Sequence, residues 1–169
     1  MINNIFGLPG SGKTTFLAWA AARAMQGKFL HCGKIPLQSI PRYKNVFSNF
    51  PLKGAMRLDI ETLGYVAYPE SLLLIDESVL LADSRDYKKL DKNLMMALKQ
   101  HRKYKQDVWF SSQGYRDNDL RIRDLYENVF YIQSKPFGRS TMYSVEKAIE
   151  IDKDIKESYE LGGLFHRKT

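Results

Sequence analysis

The sequence predicts an α/β fold: a three-layer sandwich with a largely parallel central sheet. Two observations carry this. Short apolar runs alternate with segments of helical periodicity along most of the chain, and the run Leu72-Leu73-Leu74-Ile75 has the continuous apolar character of a strand buried on both faces. At 169 residues the chain fits one domain, read as 1–169 with a core over about 1–133 and an extension over 134–169. Its composition, 44% hydrophobic and 27% charged, is that of an ordinary globular protein and excludes a fibrous or wholly disordered chain.

The elements follow in order. Residues 2–6 form an apolar run that stops at Gly7, and an alanine-rich segment over 13–25 shows helical periodicity and closes at Gly27. Pro36, Pro41 and Pro51 interrupt any helix over 29–51, which leaves short strands at 45–50 and 56–60. The strand at 71–75 ends in Asp76 and Glu77. Residues 91–104 place Leu94, Met95 and Leu98 on one helical face, with Asp91 and Lys103 suited to opposite ends of the helix dipole. A strand follows at 108–111. Beyond Gln113 come a polar turn, a short helix at 119–126 and a strand at 128–133, and the tail offers a last strand at 142–145 and a charged helix at 148–159. Trp19, on the alanine-rich helix, reads as core packing, and His31 and Cys32 as structural residues.

Gly7-Leu8-Pro9-Gly10-Ser11-Gly12-Lys13-Thr14 matches the phosphate-loop pattern G-x-x-x-x-G-K-[ST], and it lies between a strand and a helix, as that motif requires. Phosphate oxygens must approach backbone N–H groups closely, so side chains are absent at Gly7, Gly10 and Gly12, with Pro9 and Ser11 completing the cradle. Lys13 is placed to reach the β and γ phosphates of ATP, and Thr14 to put a hydroxyl on Mg²⁺. Thr15 adds a donor for the α phosphate by analogy with other loops of this kind. The run into Asp76-Glu77 is a Walker B pattern: Asp76 for a Mg²⁺ water, Glu77 to activate the attacking water. Enzymes that pass phosphate to a bound acceptor must exclude water, so an adjacent base favours an ATPase over a kinase.

Trp109-Phe110-Ser111-Ser112-Gln113 ends a strand on the same sheet edge as the loop, so Gln113 is either a γ-phosphate sensor or an amide closing a turn. Arg121 and Arg123 are either solvated helix residues or arginine fingers reaching a neighbour's site in an oligomer. His101-Arg102, at the end of the long helix, reads as a complement to its dipole. Lys and Arg number 26 against 19 acids, a net charge of +7, with basic residues at Lys99, Arg102, Lys103 and Lys105, and at His166, Arg167 and Lys168. Polyanions are therefore plausible partners. Residues 1–6 lack a secretory signal, no apolar run spans a membrane, and the single cysteine, Cys32, forms no internal disulfide or structural zinc site. The expectation is a soluble, cytoplasmic protein.

The loop from Gly7 to Lys13, the Ile75-Asp76-Glu77 run, His101-Arg102-Lys103 with Asp107-Val108-Trp109-Phe110-Ser111-Ser112-Gln113, and Ile122-Arg123-Asp124-Leu125 together resemble the zonular occludens toxin (Zot) type of ATPase domain. That family includes filamentous-phage assembly proteins and is related to the FtsK/HerA group of DNA-translocating motors; the resemblance covers about residues 1–133. It implies a P-loop ATPase motor, often hexameric, that exports or packages phage DNA. Within it, Lys13 and Thr14 hold nucleotide and metal, Asp76 and Glu77 are the Walker B pair, Gln113 is the sensor, and Arg121 or Arg123 is the finger. Phage assembly ATPases of this type usually continue into a membrane span and a distal domain. None falls within these residues, so the chain is expected to be an isolated motor domain or a soluble relative docked to membrane or capsid, or virion, by another protein. The expected function is a Mg²⁺-dependent ATPase of phage morphogenesis acting on viral DNA as a homo-oligomer. A small-molecule or nucleotide kinase and a nucleotide-dependent assembly module are the alternatives.

Overall fold

The computed structural model describes residues 1–32, 34–78, 92–135 and 139–143. In chain order, β1 (Ile2–Phe6) leads into α1 (Lys13–Met25), followed by a ribbon of β2 (His31–Cys32) and β3 (Ile35–Pro36). Then come β4 (Asn45–Ser48), β5 (Met56–Arg57), a 3₁₀ turn at Ile60–Thr62 and β6 (Ser71–Ile75). The described chain continues with α2 (Lys92–Lys99), β7 (Asp107–Ser112), α3 (Leu120–Arg123), β8 (Asn128–Lys135) and β9 (Arg139–Tyr143). Among the described residues, seven strands form one sheet in the order β5-β4-β6-β7-β1-β8-β9. Every pairing is parallel except that of β9 with β8.

Strand alternation sorts the core into two layers. Leu72 and Leu74 of β6, Trp109 of β7 and Ile5 of β1 pack against Leu17, Ala20, Ala21 and Ala24 of α1. The intervening residues Leu73, Ile75, Val108 and Phe110 pack on the opposite face against Leu94 and Leu98 of α2 and Ile122 of α3. The alanines let α1 lie close to the sheet, and the bulk on that face comes from Trp109, which is fully buried between Phe16 and Phe130. The α/β sandwich expected from the sequence is the fold observed.

Several boundaries differ for local reasons. The strand expected to reach residue 50 ends at Ser48, whose Oγ donates to Phe50 O (2.6 Å) and accepts from Phe50 N (3.1 Å), closing a turn where the ladder would continue. The strand expected over 56–60 stops at Arg57, because Asp59 accepts from Glu61 N and starts the 3₁₀ turn. Of the helix expected over 91–104, residues 92–99 are helical and the chain then folds into tight turns, with Lys105 at φ 51°. The short helix shrinks to Leu120–Arg123, capped by Asp119. The last strand lies earlier than expected, at Arg139–Tyr143; the helix expected over 148–159 lies outside the described residues. Trp19 is a correction: it is 44% exposed. The inward face of α1 is set by Leu17, Ala20, Ala21 and Ala24, so Trp19 falls outside it, against Phe16 and beneath the Arg23 guanidinium at 5.3 Å.

One buried charge ties the connections to the sheet. Asp107, fully buried at the start of β7, accepts hydrogen bonds from Ser39 N and Ser39 Oγ, both at 2.5 Å, and from the Tyr43 hydroxyl, and it pairs with the Met1 ammonium. Burial pushes the Tyr43 phenol far up, and the Asp107 charge and hydrogen bond add to the shift, so Tyr43 remains a donor. Replacing Asp107 with alanine leaves those buried donors unpaired, and we expect a loss of about 3 kcal/mol in unfolding free energy by urea denaturation.

Candidate active site

The chain leaves β1 at Phe6 and turns through residues 7–12 into α1 along the C-terminal edge of the sheet. Gly7 has no room for a side chain: a Cβ would lie 2.3 Å from Ile132 O of β8 and 2.8 Å from Ser11 Oγ. Gly12 caps α1 in the left-handed region at φ 99° and offers no side chain to the first helical amides. The first turn of α1 holds no acid and begins with Lys13, a charge of the wrong sign for a helix N-terminus, next to exposed Thr14 and Thr15. A bound anion would resolve that mismatch. Lys13 Nζ donates to Gly7 O (2.7 Å) and Leu8 O (3.1 Å), so its ammonium rests within the loop. Burial lowers its pKa, with the Asp76 and Glu77 charges opposing.

The acidic pair meets this loop across the sheet edge. Thr14 Oγ1 donates to Asp76 Oδ2 at 2.6 Å, and the Ser111 hydroxyl donates to Asp76 Oδ1. Asn49, just beyond β4, holds the Asp76 main chain by paired bonds: its Nδ2 donates to Asp76 O (2.9 Å) and its Oδ1 accepts from Asp76 N (2.8 Å). Glu77 is exposed at φ 54°, a strained value for a residue with a Cβ. Its amide points to Ser111 Oγ at 3.1 Å and Asp76 Oδ1 at 3.2 Å. Ser78 Oγ lies 2.8 Å from both Ser111 O and Asn118 Oδ1. A hydroxyl and a carboxylate within 2.6 Å of each other are hard oxygen donors of the kind Mg²⁺ takes, so Thr14 and Asp76 fit that ion.

Strand order explains the meeting. β7 lies between β1 and β6, with Ser111 beside Ile5 and Ser112 beside Phe6, so its end fills the space between loop and acidic pair. Gln113 follows directly and is exposed there. The candidate finger residues lie elsewhere, on the α2 face of the sheet. Arg121 is clamped by Asp119 through Nε and Nη2, each 2.9 Å from a carboxylate oxygen, and the pairing holds the Asp119 carboxyl below its usual range. The Arg123 guanidinium lies 5.5 Å from the Tyr115 ring centre. His101 does more than complement a dipole. Buried, it lies 2.7 Å from Leu98 O through Nδ1 and 2.9 Å from Glu127 Oε1 through Nε2, while Arg102 donates to Glu127 Oε2, so the pair pins the end of α2 to the approach of β8.

Ser111 and Asn49 are site residues that sequence reasoning passed over. Ser111 stood inside the Trp109-to-Gln113 segment and left a readable trace, a hydroxyl in a strand otherwise apolar at Val108, Trp109 and Phe110. Asn49 left none, because its role depends on β4 lying next to β6.

This architecture is the P-loop type of α/β fold: a glycine-rich loop between the first strand and first helix of a largely parallel sheet, facing an acidic strand end. No known family pattern and no curated protein matches the chain significantly. Among solved structures it is similar to the N-terminal domain of zonular occludens toxin from Neisseria meningitidis, with a TM-score of 0.58 and 22% identity over 85% of this chain and 82% of that one. It is also similar to the genome packaging NTPase B204 from Sulfolobus turreted icosahedral virus 2 in complex with sulfate, with a TM-score of 0.56 and 12% identity over 80% of this chain and 75% of that one. The same B204 protein in complex with ATP-gammaS matches with a TM-score of 0.53 and 14% identity over 80% of this chain and 75% of that one. The Zot-type resemblance of the sequence is thus matched by the fold. Among the described residues, no helix is long and apolar enough to cross a membrane.

Lys13→Ala removes the ammonium held in the loop. We expect its affinity for ATP, by calorimetric titration, to fall about 30- to 100-fold, the worth of a charge-assisted hydrogen bond, with the melting temperature little changed.

Proposed function

We propose that this chain is a Mg²⁺-dependent ATPase of virus or phage morphogenesis that couples ATP hydrolysis to the export or packaging of viral DNA. The observation that carries the reading is the hydrogen bond from Thr14 of the phosphate loop to Asp76 of the acidic pair, with Glu77 beside it. The pattern of the loop, the adjacent acids and the net charge of +7 support it. So does the likeness in fold to a domain of zonular occludens toxin and to a genome packaging NTPase.

In this mechanism Lys13 exchanges the carbonyls of Gly7 and Leu8 for phosphate oxygens, and the first amides of α1 bind the same group. Thr14 and Asp76 are the residues that would hold magnesium, which neutralises charge on the β and γ phosphates when bound. Glu77 takes a proton from a water as its oxygen bonds to the γ phosphorus; the bond from that phosphorus to the β–γ bridging oxygen breaks, leaving ADP and phosphate. Gln113 contacts the γ phosphate or that water. Arg121 or Arg123 serves a neighbouring protomer's site in a homo-oligomer, with a hexamer favoured, and another protein supplies any docking to membrane or capsid.

Phosphate release across a protein concentration series, with single- or double-stranded DNA added or omitted, tests the reading. Specific activity should rise with protein concentration and with DNA, and Glu77→Gln should lower turnover about 10²- to 10⁴-fold while retaining ATP binding. Activity indifferent to both variables contradicts a DNA motor, and phosphate appearing on an acceptor metabolite instead of in solution marks a kinase.

A further inference from the structure

We propose that Ser111 is a positioning residue for the acidic pair, fixing both the Asp76 carboxylate and the Glu77 main chain against the phosphate loop. The proposal rests on the reading of this site as a magnesium–nucleotide site. Leu72 and Leu74 of β6 and Trp109 of β7 face α1, and the two-residue period of each strand carries Asp76 and Ser111 to that same side, where α1 begins. There the Asp76 carboxylate is divided between two hydroxyls, Thr14 on Oδ2 and Ser111 on Oδ1. The Ser111 oxygen that donates to Asp76 also accepts from the Glu77 amide at 3.1 Å. One hydroxyl therefore uses its proton on the residue suited to the metal and its lone pair on the residue suited to the water.

Burial makes this use specific. Ser111 is fully buried on a strand whose preceding residues Val108, Trp109 and Phe110 are apolar, a position where an unpartnered hydroxyl is unfavourable. Its two hydroxyl bonds both go to the acidic pair. Asn49 anchors the Asp76 main chain from the β4 side independently. Removing the Ser111 hydroxyl therefore leaves the strand end in place, while the Asp76 carboxylate keeps the Thr14 bond on Oδ2 but loses its hydroxyl partner on Oδ1, and the Glu77 amide keeps only Asp76 Oδ1 at 3.2 Å.

The test compares wild type with Ser111→Ala and with Ser111→Cys, which keeps the volume but replaces the hydroxyl by a weak thiol donor. The first readout is affinity for a non-hydrolysable ATP analogue in EDTA and in magnesium. Both variants should keep the wild-type affinity in EDTA within about twofold and show a magnesium-dependent gain about tenfold smaller, the usual scale for loss of an outer partner of a metal ligand. Melting temperatures without nucleotide should stay close to wild type, and turnover should fall about 10- to 100-fold. A gain equal to that of wild type in either variant overturns the proposal, as does an affinity lost equally with and without magnesium, or a wild type indifferent to magnesium. Wild type that binds the analogue with a magnesium-dependent gain but releases no phosphate from ATP overturns the hydrolase reading alone. Wild type that binds no nucleotide overturns both.

Discussion

The constraint on which the rest depends is burial of the central strands on both faces. β1, β6 and β7 are covered by α1 on one side and by α2 or α3 on the other, so their middles carry Ile5, Leu73, Leu74, Trp109 and Phe110. A charge in such a strand must be fully partnered, as Asp107 is at the beginning of β7. Carboxylates that are to meet solvent, nucleotide or metal are therefore confined to the strand ends. Because the pairing from β4 through β8 is parallel, the ends that follow each strand fall on one edge. The phosphate loop, Asp76, Glu77 and Gln113 share that edge for the same reason.

Within it, the interposition of β7 does the rest. With the acidic strand one place removed from the loop strand, the gap is bridged by side chains, Thr14 from the helix and Ser111 from the intervening strand, which meet on one carboxylate. The main chain of the acidic pair is held by Asn49 on one flank and by Ser111 on the other. This rigid support accommodates the left-handed backbone at Glu77, a strained conformation of the kind that persists where the surroundings over-determine it.

The elements that form the site were legible because each is a local pattern. The glycines of 7–12, the continuous apolar run over 72–75 and the alanine periodicity of α1 each name their own structure without reference to the rest of the chain. Boundaries were harder, because they depend on single side chains: Ser48 folding back on Phe50, Asp59 opening a 3₁₀ turn, His101 drawn to Glu127. Strand order was not legible at all, and what rests on it was missed with it, Asn49 and Ser111 above all. Trp19 lies outside the core because the α1 core face is built of Leu17 and three alanines, and the large aromatic packed against it is Trp109, from the sheet.

The most direct measurement is a crystal structure of the protein with a non-hydrolysable ATP analogue and magnesium. The account predicts phosphates lying over residues 7–14, Lys13 Nζ moved from Gly7 O to a phosphate oxygen, and magnesium held at Thr14 and Asp76. Nucleotide bound away from the loop, phosphates in the loop with the Lys13–Gly7 bond unchanged, or magnesium held away from Thr14 and Asp76 would contradict it.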